Sequence, residues 1–585
     1  MKKYDMNKLK VIFKKTRMWL LAAVLVGTAL LSYSFVDNYF EVSKNLDIFA
    51  TLFRELNMYY VDETNPGDLM KKGIDDMLES LDPYTNYIPE SDIEDYKYMM
   101  TGQYGGIGAL IRQHGDKIMV AEPYEGYPAQ KSDLRAGDVI TEVNGVVVKG
   151  KKTDEVSKLL KGSPNTPVKV ILERDGEKKP LEKNIIRQEI KVNNVPYSGM
   201  ISNNIGYIKL TGFTENAANE VKDALTELKK NPDFKYLIFD LRGNPGGLLN
   251  EAVNIVNLFV DKGREIVSTK GKVKEWDRTH KAEKAPLDTI TPMVVLVNRG
   301  SASASEIVSG ALQDLDRAVI IGQRSFGKGL VQQTRPLSYN AQLKVTVAKY
   351  YIPSGRCIQA LNYSHRNEDG SVDKVPDSLI TAFKTVKNRR IVYDGAGIAP
   401  DVALTPQKYS NISASILNKS HIFDYATKYR IAHPSIPKAS VFSLTDTEYA
   451  DFVAFLNDKD YDYTTNTEKL MTDLKKSAEE EKNYDGAKAE YDALNTKLAH
   501  NKQADLQKYK DEIRTLLEEE IASRYYFQKG RLESYIKSDT EVAEAIRILN
   551  DNTKYKAILT TIEKPTHPFH SDKFKEKEKT ATGQN

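Results

Sequence analysis

Residues 293–332, MVVLVNRGSASASEIVSGALQDLDRAVIIGQRSFGKGLVQ, constrain this chain more than any other stretch. Met293 to Val297 is an uninterrupted apolar run with the length and β-branching of a strand covered on both faces. Asn298-Arg299-Gly300 turns the chain, and small residues lead into Glu306, Ile307, Val308, Ala311, Leu312 and Leu315, a helical spacing. A second β-rich run, Ala318 to Ile321, precedes a loop holding Gly327, Lys328 and Gly329. The pattern puts a serine at a helix start and a lysine on a later glycine-flanked turn. Taken alone, Ser301, Ser303 and Ser305 are three candidates for an ordinary helix N-cap. The lysine turn is not a phosphate loop, because Gly329 stands where GxxxxGK requires Ser or Thr.

The same stretch resembles the core of the C-terminal processing (tail-specific) peptidases, serine endopeptidase family S41, and the likeness extends over roughly residues 40–405. The carriers are GSASASEI after a buried strand and FGKG further on. The family's nucleophile is the serine 25 residues before the lysine, which selects Ser303, with Lys328 as base and Gln332 orienting it. Ser301 and Ser305 are then structural. Arg242-Gly243-Asn244-Pro245-Gly246-Gly247 resembles the family's RxNxGG segment, which implies oxyanion-hole N–H groups at Gly246 and Ala304; without the resemblance it reads as a turn. Two further likenesses are Leu81–Ile88, with Tyr84 where a histidine is common, and the closing GIAPDV at Gly397–Val402. Arg356 reads as a structural ion pair or as an aligner of substrate backbone.

Residues 104–189 resemble a PDZ domain. Gly105-Gly106-Ile107-Gly108 looks like the carboxylate-binding loop, where successive N–H groups can cradle one anion beside an open strand edge. Short β runs at Ile118–Ala121, Asp138–Val143 and Val168–Glu173 follow. A helix over Thr153–Leu160 is expected to wall a peptide groove with Val156 and Leu160. The peptide-binding residues so implied are Gly106, Ile107, Gly108, Val156 and Leu160.

Composition narrows the partners. The formal charge is +3, but residues 1–17 carry seven Lys/Arg against one Asp, leaving the remainder acidic; nothing argues for nucleic acid. Cys357 is the sole cysteine, so no internal disulfide or cysteine–zinc cluster forms, and no metal or cofactor is expected. The basic start precedes an uncharged run, Met18 to Val36, just long enough to cross a membrane. The expectation is an uncleaved anchor in the cytoplasmic membrane, the bulk lying on the periplasmic side of a bacterial cell envelope. The alternative is a signal peptide cut near Ser34, releasing the chain into the periplasm.

The expected fold is multidomain, α/β plus β. It comprises a membrane or signal helix (1–36), a helical region (37–100), a PDZ domain (104–189) inserted before an α/β S41 core (200–405), a mainly helical region (406–570) and a disordered tail (571–585). Within the core, Gly206–Leu210, Tyr236–Asp240 and 342–350 read as strands, Asn216–Lys230 and Leu248–Phe259 as helices. Apolar spacing across 467–556 is helical without regular heptads, read as a packed domain or as a surface for self-association or adaptor binding.

The resemblance implies a serine endopeptidase that binds and processes C-terminal tails of exported proteins. A serine hydroxyl needs a base, and a solvated lysine is already protonated at neutral pH, so Lys328 must lose hydration to serve. An amide such as Gln332 can aim it without adding charge. The competing reading is a non-catalytic PDZ adaptor or chaperone-like protein of the cell envelope.

Overall fold

In a computed structural model, which describes residues 39–363, 366–367, 371–498 and 502–561, the run Met293–Val297 is a fully buried strand of a six-stranded sheet. The strands lie in sequence order: β1 (Tyr197–Met200), β2 (Ile205–Lys209), β3 (Tyr236–Asp240), β4 (Met293–Val297), β5 (Val319–Gly322) and β6 (Val402–Ala403). β1 runs antiparallel to β2, and every later pairing is parallel. Parallel neighbours need crossovers, and these carry helices α1 (Ala217–Lys229), α2 (Leu249–Asn257) and α3 (Ala304–Asp314).

Side chains alternate across a strand, and in β4 both sets find an apolar partner. Met293, Val295 and Val297 pack in one cluster with Ile307, Val308, Ala311 and Leu312 of α3. Val294 and Leu296 face the other way, onto Val542, Ala545, Ile548, Leu549 and Tyr555. The helices Thr540–Asn550 and Asn552–Thr560, far along the chain, therefore close the second face of this sheet. Burying one aliphatic side chain stabilises by roughly 1.5–3 kcal/mol, so these helices are integral to the core.

A second antiparallel sheet contains Glu265–Gly271, Arg278–Lys281, Leu330–Pro336 and Gln342–Tyr351. A third, over 109–186, is antiparallel in the order Ala109–His114, Lys117–Pro123, Val139–Val143, Pro167–Glu173, Leu181–Ile186. Helix Thr153–Leu160 covers it. Residues from Ile412 to Ile521 build a separate helical core around Tyr425, Phe452, Leu517 and Ile521.

The chain divides into two compact units, Met1–Tyr87 and Ile88–Asn585. The first has helices at 39–59 and Pro66–Glu79. Asn65 starts the second by accepting from the Gly67 and Asp68 amides, and Pro66 suits a first helical position.

One part of the expected fold class is corrected. Among the described residues no helix is long and apolar enough to cross a membrane. The 18–36 run on which the membrane or signal helix rested lies outside the described residues, as does the tail 571–585. The described architecture is a mixed α/β core with a PDZ-like sheet and a C-terminal helical region. The expected membrane partner and inner-membrane anchoring are corrected with it: no described helix supplies the run of about 20 apolar residues that a spanning helix needs.

Candidate active site

Ser303 stands between the turn after β4 and the first residue of α3, with φ 54° and ψ −111°. A positive φ on a residue with a Cβ is strained, and such strain collects at working sites. The surroundings hold it there. Ser301 Oγ donates to the Leu241 carbonyl at 2.8 Å, Ser305 Oγ to the Asn244 carbonyl at 2.9 Å, and the Ala302 amide to that same carbonyl at 3.0 Å. Ser305 and the Ala302 amide thus fasten the segment to the Arg242–Gly247 loop and Ser301 fastens it to Leu241 just before that loop, leaving Ser303, half-buried, to present its side chain.

Gly246 explains why that loop needs glycine. Its φ is +98°, and a Cβ there would lie 2.6 Å from the Ala302 carbonyl oxygen, 2.9 Å from the Ala304 nitrogen and 2.9 Å from the Ser303 Cβ. The loop is therefore pressed against the serine and the opening amide of α3. Ala304 supplies the first N–H of the helix, one of those without an intrahelical acceptor. The Gly246 N–H donates to Asn244 Oδ1 at 2.9 Å.

Glu306, one turn into α3 and fully buried, joins serine and lysine. Its Oε2 accepts from the Ser303 amide at 2.8 Å and the Lys328 amide at 2.9 Å. Its Oε1 accepts from Ser325 Oγ at 2.6 Å and the Gly327 amide at 2.7 Å. The backbones of the predicted nucleophile and base thus meet on one oxygen atom. The role of Glu306 is missed in the sequence reading, although the Ser303-x-x-Glu306 spacing of a capping box could have found it.

Burial pushes the Glu306 carboxyl above the ordinary range, while hydrogen bonds from Ser325, Lys328, Gly327 and Ser303 oppose the rise. All four partners donate, so only the ionised acid serves them without conflict. Glu306→Gln is therefore expected to lower turnover by about 10²-fold despite equal size, because either amide orientation sets N–H against two donors. Acidification should act similarly. As pH falls through a raised pKa the acceptor is lost and activity drops. The sign for stability is opposite: the folded state binds that proton more tightly, so this group's contribution rises on acidification. Rate and Tm measured together from pH 4 to 7 check this; an acid limb no higher than that of an ordinary glutamate counts against it.

Gln332 lies on Leu330–Pro336, just after an irregularity in pairing between Val331 and Gln332, and its Nε2 donates to Thr346 Oγ1 at 3.2 Å. Arg356 is buried with Asp314 at 2.8 Å and with the Gln313 side chain, so the ion-pair reading holds. In the 109–186 region, Gly106 ends the strand Gln103–Gly106, Ile107 is buried and Gly108 has φ +73°. A Cβ on Gly108 would meet the Tyr127 Cβ at 2.6 Å. Val156 and Leu160 sit in the apolar core with Ile107, Ile118 and Val168, so they fill the domain interior rather than line an open wall.

The profile of peptidase family S41 matches residues 204–363, that of the PDZ domain 119–174, and that of the probable PDZ-protease C-terminal helical domain 412–549. The chain is 36% identical over 355 residues to the carboxy-terminal-processing protease of Bartonella bacilliformis, covering 60% of this chain and 80% of that one. It is 34% identical over 410 residues to the probable CtpA-like serine protease of Staphylococcus aureus strain MRSA252, covering 68% and 74%. Among solved structures it is similar to a photosystem II D1 C-terminal processing protease, at 30% identity and a TM-score of 0.34, over 62% of this chain and 93% of that one.

Proposed function

The chain belongs to peptidase family S41, a family of serine-type endopeptidases, and from that premise we propose that Ser303 is its nucleophile, Lys328 its general base, and C-terminal tails of proteins its substrates. The observation that carries the assignment is the convergence of the Ser303 and Lys328 amides on Glu306 Oε2. Neutral Lys328 takes the Ser303 proton as Oγ attacks the scissile carbonyl. The oxyanion forms beside the Ala304 N–H at the start of α3, where the helix end favours negative charge. Gly246 offers the second N–H once it leaves Asn244 Oδ1. The lysine returns the proton to the leaving amine, the acyl-enzyme forms, and water activated through the same amine releases it. Gln332 orients the lysine from its strand.

Residues 104–189 serve this chemistry as the tail-binding domain, and 200–405 as the catalytic core. The Gly106-Ile107-Gly108 turn receives the terminal carboxylate, and Val156 and Leu160 support that turn from the domain interior, where they pack with Ile107. The test uses one unstructured, apolar-ended peptide as free acid and as amide. Turnover of the free acid is expected to exceed that of the amide by about tenfold, the worth of a charge-assisted hydrogen bond. Equal turnover refutes tail recognition. Binding of both peptides with cleavage of neither refutes the catalytic assignment and leaves the adaptor reading.

A further inference from the structure

The residue pairs that shape the catalytic loops do not all come from the catalytic segment. Arg242 is the root of the oxyanion loop: Gly243 follows it, then Asn244, which accepts from Ala302 and Ser305, and Gly246 beside Ser303. Gln323 is the corresponding root of the lysine loop, just past β5 and two residues before Ser325, which donates to Glu306. Both roots are held by one carboxylate from the far end of the chain. Glu541 Oε2 accepts from Arg242 Nη1 at 2.8 Å, and its Oε1 accepts from Gln323 Nε2 at 2.5 Å.

We propose that Glu541, on the helix Thr540–Asn550, is a positioning residue for peptide-bond hydrolysis, bridging the oxyanion loop to the lysine loop through Arg242 and Gln323. The inference rests on the Ser303–Lys328 reading. The bridge has a firm base on both sides. Asp539 caps the helix by accepting from the Glu541 and Val542 amides, and its other oxygen lies 2.6 Å from Arg242 Nη2. Asp240 takes the Nε/Nη2 edge of the guanidinium, accepting from Nη2 at 2.6 Å and from Nε at 3.0 Å, and also accepts from the Tyr207 hydroxyl at 2.6 Å. Lys209 Nζ donates to the Arg242 carbonyl at 2.7 Å and lies 3.1 Å from Asp240. Arg242 is thereby fixed from three directions, and Glu541 alone among these carboxylates reaches across to the second loop. The helix is itself seated by Val542, Ala545, Ile548 and Leu549 on the sheet. A loop shifted by an ångström at either root misaligns nucleophile, oxyanion donor or base, which is enough for a large rate loss without contact to substrate.

Glu541→Gln tests this with minimal change of shape. A carboxylate accepts from both partners, whereas an amide accepts from one and presents N–H to the other, so one arm must break. On the free-acid peptide, with rates normalised to folded protein by thermal unfolding, kcat is expected to fall about 10- to 100-fold and KM to move by less than about twofold. The double variant Glu541→Gln/Gln323→Glu restores a complete pattern: the amide at 541 accepts from Arg242 and donates to the new carboxylate. It should recover most of the lost kcat, which a packing role for Glu541 would not produce. Arg547→Ala, on the same helix and exposed in its pair with Glu544, should leave both constants unchanged.

The inference is overturned if Glu541→Gln keeps the parental kcat, if the loss falls on KM, or if the double variant is no better than the single one. Should Glu541→Gln fail to fold, Gln323→Ala breaks the same arm from the other side. It is expected to lower kcat about tenfold, and an unchanged kcat overturns the bridge. An unsubstituted protein without hydrolytic activity refutes the Ser303–Lys328 reading and the bridge with it. An active parent with an unaffected Glu541→Gln refutes the bridge alone.

Discussion

Replacing Ser303 by alanine is expected to lower peptide hydrolysis by about 10⁴-fold or more, because members of a nucleophile–base pair act as a unit and losing one forfeits most of the pair's effect. Stability should barely change. Alanine keeps the Cβ, so the strained backbone at φ 54° is inherited unaltered. The Ser303 amide that binds Glu306 is main chain, and the serine side chain makes no cap hydrogen bond to the helix. Ser303→Gly separates strain from chemistry. Glycine accepts a positive φ freely, so this variant should be as inactive as alanine yet more stable than it by on the order of 1 kcal/mol. Rates on an unstructured peptide, alongside denaturation midpoints, read both effects. Retained turnover in purified Ser303→Ala removes the serine from the mechanism. A glycine variant less stable than the alanine variant would mean that the strain is not stored at this residue.

The elements that the sequence reveals are those whose pattern is local. Met293–Val297, Tyr236–Asp240 and helix Thr153–Leu160 fall where apolar runs and three-to-four spacing put them. Leu330–Pro336, LVQQTRP, is not legible as a strand: only Leu330 and Val331 start an apolar run, the residues from Gln332 to Arg335 are polar, and the pairing with Gln342–Tyr351 defines it. The same limit separates the site residues. Gly246, Ser303 and Lys328 stand in short motifs, and Glu306 follows its serine at a helix-start spacing that local reasoning can use. Glu541 has no local signature, because Arg242 and Gln323 lie 299 and 218 residues away. Val156 and Leu160 mark an intermediate case. Periodicity finds the apolar face of their helix but not whether it meets a ligand or a sheet, and here it meets the sheet. The contiguous helical tract conceals a similar division, since its last two helices cover the catalytic sheet while earlier ones enclose a core of their own.

Lys328→Arg is expected to be as inactive as Lys328→Ala, both reduced by about 10⁴-fold, the upper range for losing a positioned general base. The argument turns on what the amine must do. To take the Ser303 proton it must have been neutral an instant before, and a lysine can reach that state in a partly buried site. A guanidinium stays charged in proteins and keeps its protons, so arginine supplies the same cation without a lone pair. If the lysine instead worked as a fixed positive charge beside the oxyanion, arginine would retain a large part of the rate. The loop offers a fair comparison, because the amide at 328 binds Glu306 through the main chain whatever the side chain. Values of kcat/KM for both variants, with Tm to confirm folding, separate the two roles: activity in the arginine variant within about tenfold of the parent would sink the base assignment. A small primary amine added to Lys328→Ala carries the test further. Only its neutral form can accept a proton, so rescue should grow as pH rises toward the amine's own pKa. Rescue that follows the protonated amine, fading as pH rises, would give Lys328 the part of a charge and leave another group to activate Ser303.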